Sequence, residues 1–344
     1  MRRQISLLGI VGLALLAGCG AYGPKTVVRD RFNYNTAIAE SWKNQMLQNV
    51  VRIRYADMPV FLEVTSVVSQ YEIKGDATAR ADSLLSPFEI GGSYMERPTI
   101  SYAPLTGEKF IKSLMTPLPP EIILHLMETG WPAEFILGLS VQAVNGLYNR
   151  AGGQMVAHPA DPDFRTLLTS LTSIQQSGVM VSEIEKHDDG DEIVLMFREH
   201  PDAEVASEIS SVLRLLRLNP DSRRFSVSGG ICPAEENEIK FETRSILMIM
   251  HALAMGVEVP SKHHAETLDA PVDPGSSNLL PVRVLSGEKR PEDAYAAIQY
   301  LNHWFWIDGH DVQSKRAFSF IQLLMNLSEG GTENRAPVLT LPTG

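Results

Sequence analysis

The chain has 344 residues, 30 of them basic and 41 acidic, for a formal net charge of −11, and it contains two cysteines. An acidic body of this kind excludes electrostatic attachment to nucleic acid or to anionic lipid. Two cysteines exclude a small disulfide-stapled fold, and the length is ample to bury a core unaided.

The first residues read as a targeting signal. Arg2 and Arg3 form a positive n-region, and "ISLLGIVGLALLAG" follows as an uncharged apolar stretch too short to span a membrane. Leu16-Ala17-Gly18-Cys19 then resembles the bacterial lipobox. That resemblance implies cleavage after residue 18, acylation (palmitate) of Cys19, and, with Gly20 rather than aspartate next, the periplasmic face of the outer membrane. Residues 1–18 are thus expected to be a signal peptide, and 19–33, "CGAYGPKTVVRDRFN", a short lipidated tether. Without Arg2 and Arg3 the mature chain carries 28 basic against 41 acidic residues, a net charge of −13. Its partners are then expected to be the membrane, through lipid, and an envelope protein, not nucleic acid; several acyl chains anchor stably where one does not. With Cys19 acylated, Cys232 has no partner within the chain, and it reads as a small buried hydrophobe, not a reactive thiol.

Asn35 or Thr36 is a candidate cap for a helix to about Ala56, with Ile38, Trp42, Met46 and Val50 as its apolar stripe. "VFLEVTSVVSQYEI" predicts a long strand, residues 75–95 a loop with one short strand, and "PTISYAP" another strand. Thr106 opens a short helix. Pro119 or Pro120 starts the next, Gly130 ends it, and Pro132 starts a third running through "AEFILGLSVQAVNGLYN", giving a helical hairpin. Residues 150–163 are rich in Gly and Pro and read as a linker.

Beyond the linker the pattern predicts a helix stopped by Gly178, two strands around "DDGD", a helix capped by Asp202, the strands "RRFSVSGG" and "NEIKFET", and a buried helix ending at Gly256. A long loop follows. Then come the strands "LPVRVLSG" and "YAAIQYLNHWFWID", the latter a hairpin turning at Asn302-His303, a last helix, and a final strand "PVLTLP". The expected class is α+β, a mixed, partly antiparallel sheet with packed helices. The chain divides at the linker into a region 34–149 with the helical hairpin and a region 163–342; these are either two subdomains or parts of one core.

Motifs for nucleotides, phosphate, zinc or an α/β-hydrolase nucleophile are absent: no GxGxxG, no GxxxxGK[ST], no GxSxG, no HExxH, no CxxC. No cofactor and no metal are therefore predicted. "HDDGD" (187–191) lacks the further ligands of a calcium loop and reads as a hairpin tip. His263 and His264 are neighbours, which on an extended chain point apart. The four tryptophans, Trp42, Trp131, Trp304 and Trp306, each sit in an apolar pattern and read as core. One catalytic candidate remains: Asp308, His310 and Asp311 in "WFWIDGHDVQSKRAF", where an acid/base pair could sit at a strand end. The same residues also read as structure, with Asp308-Gly309 the turn, Asp311 the N-cap and Lys315 its i+4 partner, leaving only His310 without a local role.

"RDRFNYNTAIAESWKNQMLQNVVRIRYADMPVFLEVTSVV", "ERPTISYAPLTGEKFIKSLMTPLPP", "FWIDGHDVQSKRAF" and "APVLTLP" resemble a group of uncharacterised Gram-negative outer-membrane lipoproteins. That resemblance spans nearly the whole mature chain and implies one co-inherited body, with no catalytic residue to carry over. The expected function is non-enzymatic: a lipid-anchored component that binds or scaffolds an envelope export or assembly complex. The alternative is a periplasmic hydrolase of cell-wall or small-molecule substrates using the 308–311 cluster, and a weaker third reading is small-ligand binding between the helices at 119–148.

Overall fold

A computed structural model describes residues 24–79, 88–149, 161–187, 190–199, 201–231, 235–267 and 282–329. Cys19, Cys232, the tip residues Asp188 and Asp189, and the expected strand at 337–342 lie outside these. The class is α+β, as expected: helices pack on a six-stranded mixed sheet and a three-stranded antiparallel one, and a separate two-stranded ribbon is the third sheet.

Helix α1 (Pro24–Arg54) begins eleven or more residues before the predicted cap. Proline fits a first helical turn and no breaker follows it, so residues 24–33 of the expected tether are helical. Thr36 does not cap; its hydroxyl donates to the Phe32 carbonyl 2.9 Å away, inside the helix. Residues 31–42 of α1 are largely exposed, and burial begins only near Met46 and Leu47.

Strand β1 (Leu62–Ala79) and strand β2 (Phe88–Pro104) pair antiparallel along their whole length, with one irregularity at Thr65. Most of the predicted loop at 75–95 is therefore strand. Gly75, Gly91 and Gly92 read as breakers one at a time, yet here they sit cross-strand, Gly75 opposite Gly92, where pairing overrides their local preference. At about 3.3 Å per residue the ribbon is about 60 Å long. Among the described residues no third strand or helix packs along it.

A short helix α2 (Gly107–Phe110) runs into a π-helical turn, Ile111–Met115. Thr106 precedes α2 without a capping hydrogen bond. The predicted helical hairpin is half right. Helices α3 (Pro120–Glu128) and α4 (Ala133–Ser140) flank Gly130 at φ +96°. The Gln175 side chain fixes that turn, accepting from Ala133 N and donating to the Met127 and Trp131 carbonyls. The second helix stops at Ser140, and the remainder is a β-hairpin, β3 (Val141–Val144) and β4 (Leu147–Tyr148). Its turn, Asn145 (φ 46°) and Gly146 (φ 82°), has both central residues in the left-handed region, as a two-residue hairpin requires.

Helix α5 (Pro162–Gln176), strands β5 (Met180–His187) and β6 (Gly190–Phe197), and helix α6 (Ala203–Leu215) follow as predicted, with Gly178 at φ +71° and the Asp202 carboxylate accepting from Val205 N at 2.8 Å. Strands β7 (Arg224–Gly229) and β8 (Glu238–Thr243) run parallel and complete the sheet order β4-β3-β8-β7-β6-β5. Helix α7 (Ile246–Ala254), capped by Ser245, leads to a 3-10 turn at Ser261–Glu266. Strands β9 (Leu285–Gly287), β10 (Ala294–Tyr300) and β11 (His303–Asp308) form the second sheet, and helix α8 (Val312–Glu329) ends the described chain. The β10–β11 turn falls on Leu301-Asn302, φ 45° and 63°, one residue before the predicted position.

The boundary at 150–162 does not separate two packing units. Strands β3 and β4 from before it join β5–β8 from after it in one sheet. Helix α1 packs on β10 and α7, and α8 on β11 and α7, so the two ends of the chain come together around its middle. One apolar core, from Leu47 through Ile136 and Phe225 to Phe320, runs through both regions.

Candidate functional site

Asp308, His310 and Asp311 lie at the end of β11 and the start of α8. Asp308 Oδ1 accepts from His310 N at 2.7 Å and lies 3.3 Å from His310 Nδ1, while the imidazole itself is 85% exposed. Asp311 turns away from that pair. Its Oδ1 accepts from Ser314 N at 3.0 Å and its Oδ2 from the buried Ser314 hydroxyl at 2.6 Å. The Ser314 oxygen in turn accepts from Arg283 N, tying the helix start to the segment entering β9. Lys315 does not pair with Asp311 through its side chain; Nζ donates to the Gly309 carbonyl at 2.9 Å. The three candidates are thus adjacent without converging: one carboxylate serves a turn, the other serves its own helix, and the imidazole faces water.

Partial burial by itself raises the Asp311 pKa, but the Ser314 hydroxyl, the Ser314 and Gln313 amides and the Arg283 charge outweigh it and hold the group below its ordinary 3.8. A depressed carboxylate stabilises the fold above the unfolded value, and that contribution disappears as pH falls through 3.8 and then through the native value. Asp311→Ala should therefore cost about 1 kcal/mol at neutral pH, and its gap to wild type in urea denaturation should be smaller at acidic pH, below 3.8. A gap of equal size at both pH values would contradict the capping role.

A second polar grouping, assembled from four separate stretches of chain, has no signature in the sequence. The Tyr55 hydroxyl, just after α1, is hydrogen-bonded to His263 Nδ1 at 2.8 Å. The His263 ring meets His303 edge-on with centroids 4.7 Å apart, and Tyr55 packs edge-on against Tyr300 and Phe305. The Tyr300 hydroxyl donates to Asp57. This grouping pins the 3-10 turn and the β10–β11 turn to the end of α1. Of the paired histidines singled out in the sequence, His263 joins it and His264 is exposed. Among the described residues no set of three or more His, Cys, Asp or Glu is placed to hold a metal ion.

A small apolar cleft of about 70 Å³, open to solvent, lies where α1, the base of the ribbon and α8 meet. Trp42, Met46, Phe61, Leu62, Leu105 and Met325 line most of it, and Glu63, ion-paired with Lys109, stands at its polar side. Asn49 holds this corner together by exchanging two hydrogen bonds with the Val60 backbone. Trp42, read from the sequence as core, is 41% exposed here. The other tryptophans are dispersed. Trp131 stacks on Phe135 beneath Arg316, and Trp304 faces Arg290. The helices at 119–148, read as a possible ligand groove, bury Ile123, Leu126, Ile136 and Leu139 in the core.

No protein-family model matches the chain, and neither the curated proteins nor the solved structures contain a match to it.

Proposed function

We propose that this chain is a lipid-anchored component of an envelope assembly, held at the periplasmic face of the outer membrane through Cys19, that works by binding and not by catalysis. The observation that carries this reading is the β1–β2 ribbon, with no described element packed along it. A lone two-stranded ribbon is marginal in water, and its open edges invite pairing, so an element of this length is expected to be completed by something outside the chain. The exposed apolar residues at its foot, Met58, Val60, Leu62 and Tyr102, support the same reading, as does the largely exposed α1 segment 31–42.

The test is a ribbon-shortened chain in which residues 68–99 are replaced by Asn-Gly, placing Val67 and Ile100, which are cross-strand partners, on either side of a two-residue turn. Extracted in mild detergent, the lipidated wild type should migrate as a complex well above monomer size. The shortened chain should keep the thermal midpoint of the body and lose the complex. A wild type that runs as a lone monomer under these conditions rules the reading out.

A further inference from the structure

The ribbon has two faces of opposite character. Residues alternate between faces along a strand, so the register puts Tyr71, Ile73, Ala77, Phe88, Ile90 and Tyr94 on one face, together with Gly75 and Gly92. The intervening positions, on the other face, include Glu72, Lys74, Asp76, Glu89 and Arg97. The apolar run is bounded: Glu96, opposite Tyr71, and Pro98, opposite Ser69, lie on the apolar side just beyond it. Along β1 the run covers residues 71–79, and along β2 it covers 88–94, with Glu96 closing it opposite Tyr71.

Nine residues at about 3.3 Å each make about 30 Å of strand. Inclined at about 40°, as barrel strands are, that projects to about 23 Å, against an apolar band of about 25 Å on outer-membrane barrels. The run is also as long as the ~9–11 residues of a membrane-crossing strand. Aromatic residues sit at its two ends, Phe88 toward the tip and Tyr71 and Tyr94 toward the body, where barrels carry their aromatic girdles. Pro98, which lacks an N–H for pairing, falls outside it.

Three features must be satisfied together: an apolar face, a charged face, and two strand edges, none covered by a described element. A protein docked on the apolar face leaves both edges open. An added strand covers one edge and leaves the face exposed. A single ribbon entering lipid would strand its edge N–H and C=O groups in hydrocarbon, and that is why sheets cross membranes only as closed barrels. We propose that copies of this chain join their ribbons edge to edge into a closed β-barrel that crosses a lipid bilayer, with the apolar face toward the acyl chains and the charged face toward an aqueous lumen. This rests on the reading of the ribbon as the assembly element. Each copy supplies two strands, so about four copies are the minimum, the smallest such barrels having about eight strands.

The test uses the full-length lipidated protein carrying Cys232→Ser, reconstituted in vesicles of phosphatidylethanolamine and phosphatidylglycerol. Ile73→Cys, Lys74→Cys, Asp76→Cys and Ala77→Cys are each labelled with an environment-sensitive fluorophore. Labels at 73 and 77 should shift to the blue and be quenched several-fold more by nitroxide-bearing lipid than labels at 74 and 76. Ile90→Arg should abolish that quenching and the high-mass oligomer, while Lys74→Glu keeps both; far-UV circular dichroism confirms that the body of each variant is folded. Uniformly aqueous labels in vesicles would overturn the barrel. So would the same alternation in the absence of vesicles, which would mark a soluble face-to-face dimer. If the labels stay aqueous while shortening the ribbon still dissolves the native complex, the ribbon's partner is another protein and the barrel alone is wrong. If shortening leaves the complex intact, the assembly reading fails with it.

Discussion

Gly256→Ala should cost about 3 kcal/mol or more in urea denaturation, placing one added methyl among the severe point substitutions. A Cβ on residue 256 would lie 2.2 Å from the Val282 carbonyl oxygen and 3.3 Å from that of Leu253. Both are backbone atoms, so no rotamer change relieves the overlap. The strands of chain are also fixed on both sides: Val284 N donates to the Gly256 carbonyl at 3.1 Å, Glu258 N donates to the Val284 carbonyl at 2.8 Å, and Val257 bridges Val284 in parallel. To admit the methyl, the segment entering β9 has to move away from the end of α7, breaking these bonds and disturbing Val282 and Val284, both buried. A variant with an unchanged urea midpoint would mean that this crossing is looser than the hydrogen bonds indicate. Gly287→Ala makes a graded comparison. Its Cβ meets only the Trp306 ring edge, at 3.2 Å, and a side chain can yield where backbone cannot, so the loss should be clearly smaller.

Arg244→Ala should lower stability by about 3 kcal/mol, combining a lost charge-assisted hydrogen-bond set with the cavity left by a large side chain. Arg244 is almost fully buried where β8 hands over to α7. Its backbone N donates to the Ser140 carbonyl at 2.7 Å and its carbonyl accepts from Leu118 N. Its Nη1 reaches the Leu139 and Gly138 carbonyls at 3.2 and 3.4 Å. These are the closing carbonyls of α4, and a cation there also suits the negative end of the helix. Burial pushes the guanidinium pKa down to about 10. For a base, a native pKa below the unfolded one opposes folding wherever both states are charged, and that opposition fades only as pH climbs above about 10. Arg244→Met, which keeps the bulk and carries no charge to desolvate, should therefore lose less than Arg244→Ala at neutral pH. Equal losses for the two would show that the charge, not the volume, dominates.

How legible each part was depends on how local its cause is. Asp202 and Asp311 each sit at a helix start and accept from amides three residues on, so a short reading window contains the whole interaction. The Asn145-Gly146 turn was equally local, but the apolar run around it, "FILGLSVQAVNGLY", fits a buried helix as well as a strand, and periodicity could not separate them. Pairing of Val141–Val144 with β8, about a hundred residues away, decided the matter. For the 308–311 cluster, the turn and the cap were legible. The redirection of Lys315 from Asp311 to Gly309, and the link from Ser314 to Arg283, were not, because those partners are set by tertiary contact.

By itself the sequence determined what depends on neighbours within a turn or two: the caps at Asp202 and Asp311, the glycine stops at 130 and 178, and the α+β class. Tertiary structure decided what depends on pairing at a distance. It extended β1 and β2 through glycines that read as breakers, because cross-strand hydrogen bonds outweigh a weak local preference. It joined the chain's two ends across the apparent linker, because α1 and α8 bury their apolar faces against a sheet and a helix that they share. It also gathered Tyr55, His263, Tyr300 and His303 from distant segments, where no spacing in the sequence could have announced them.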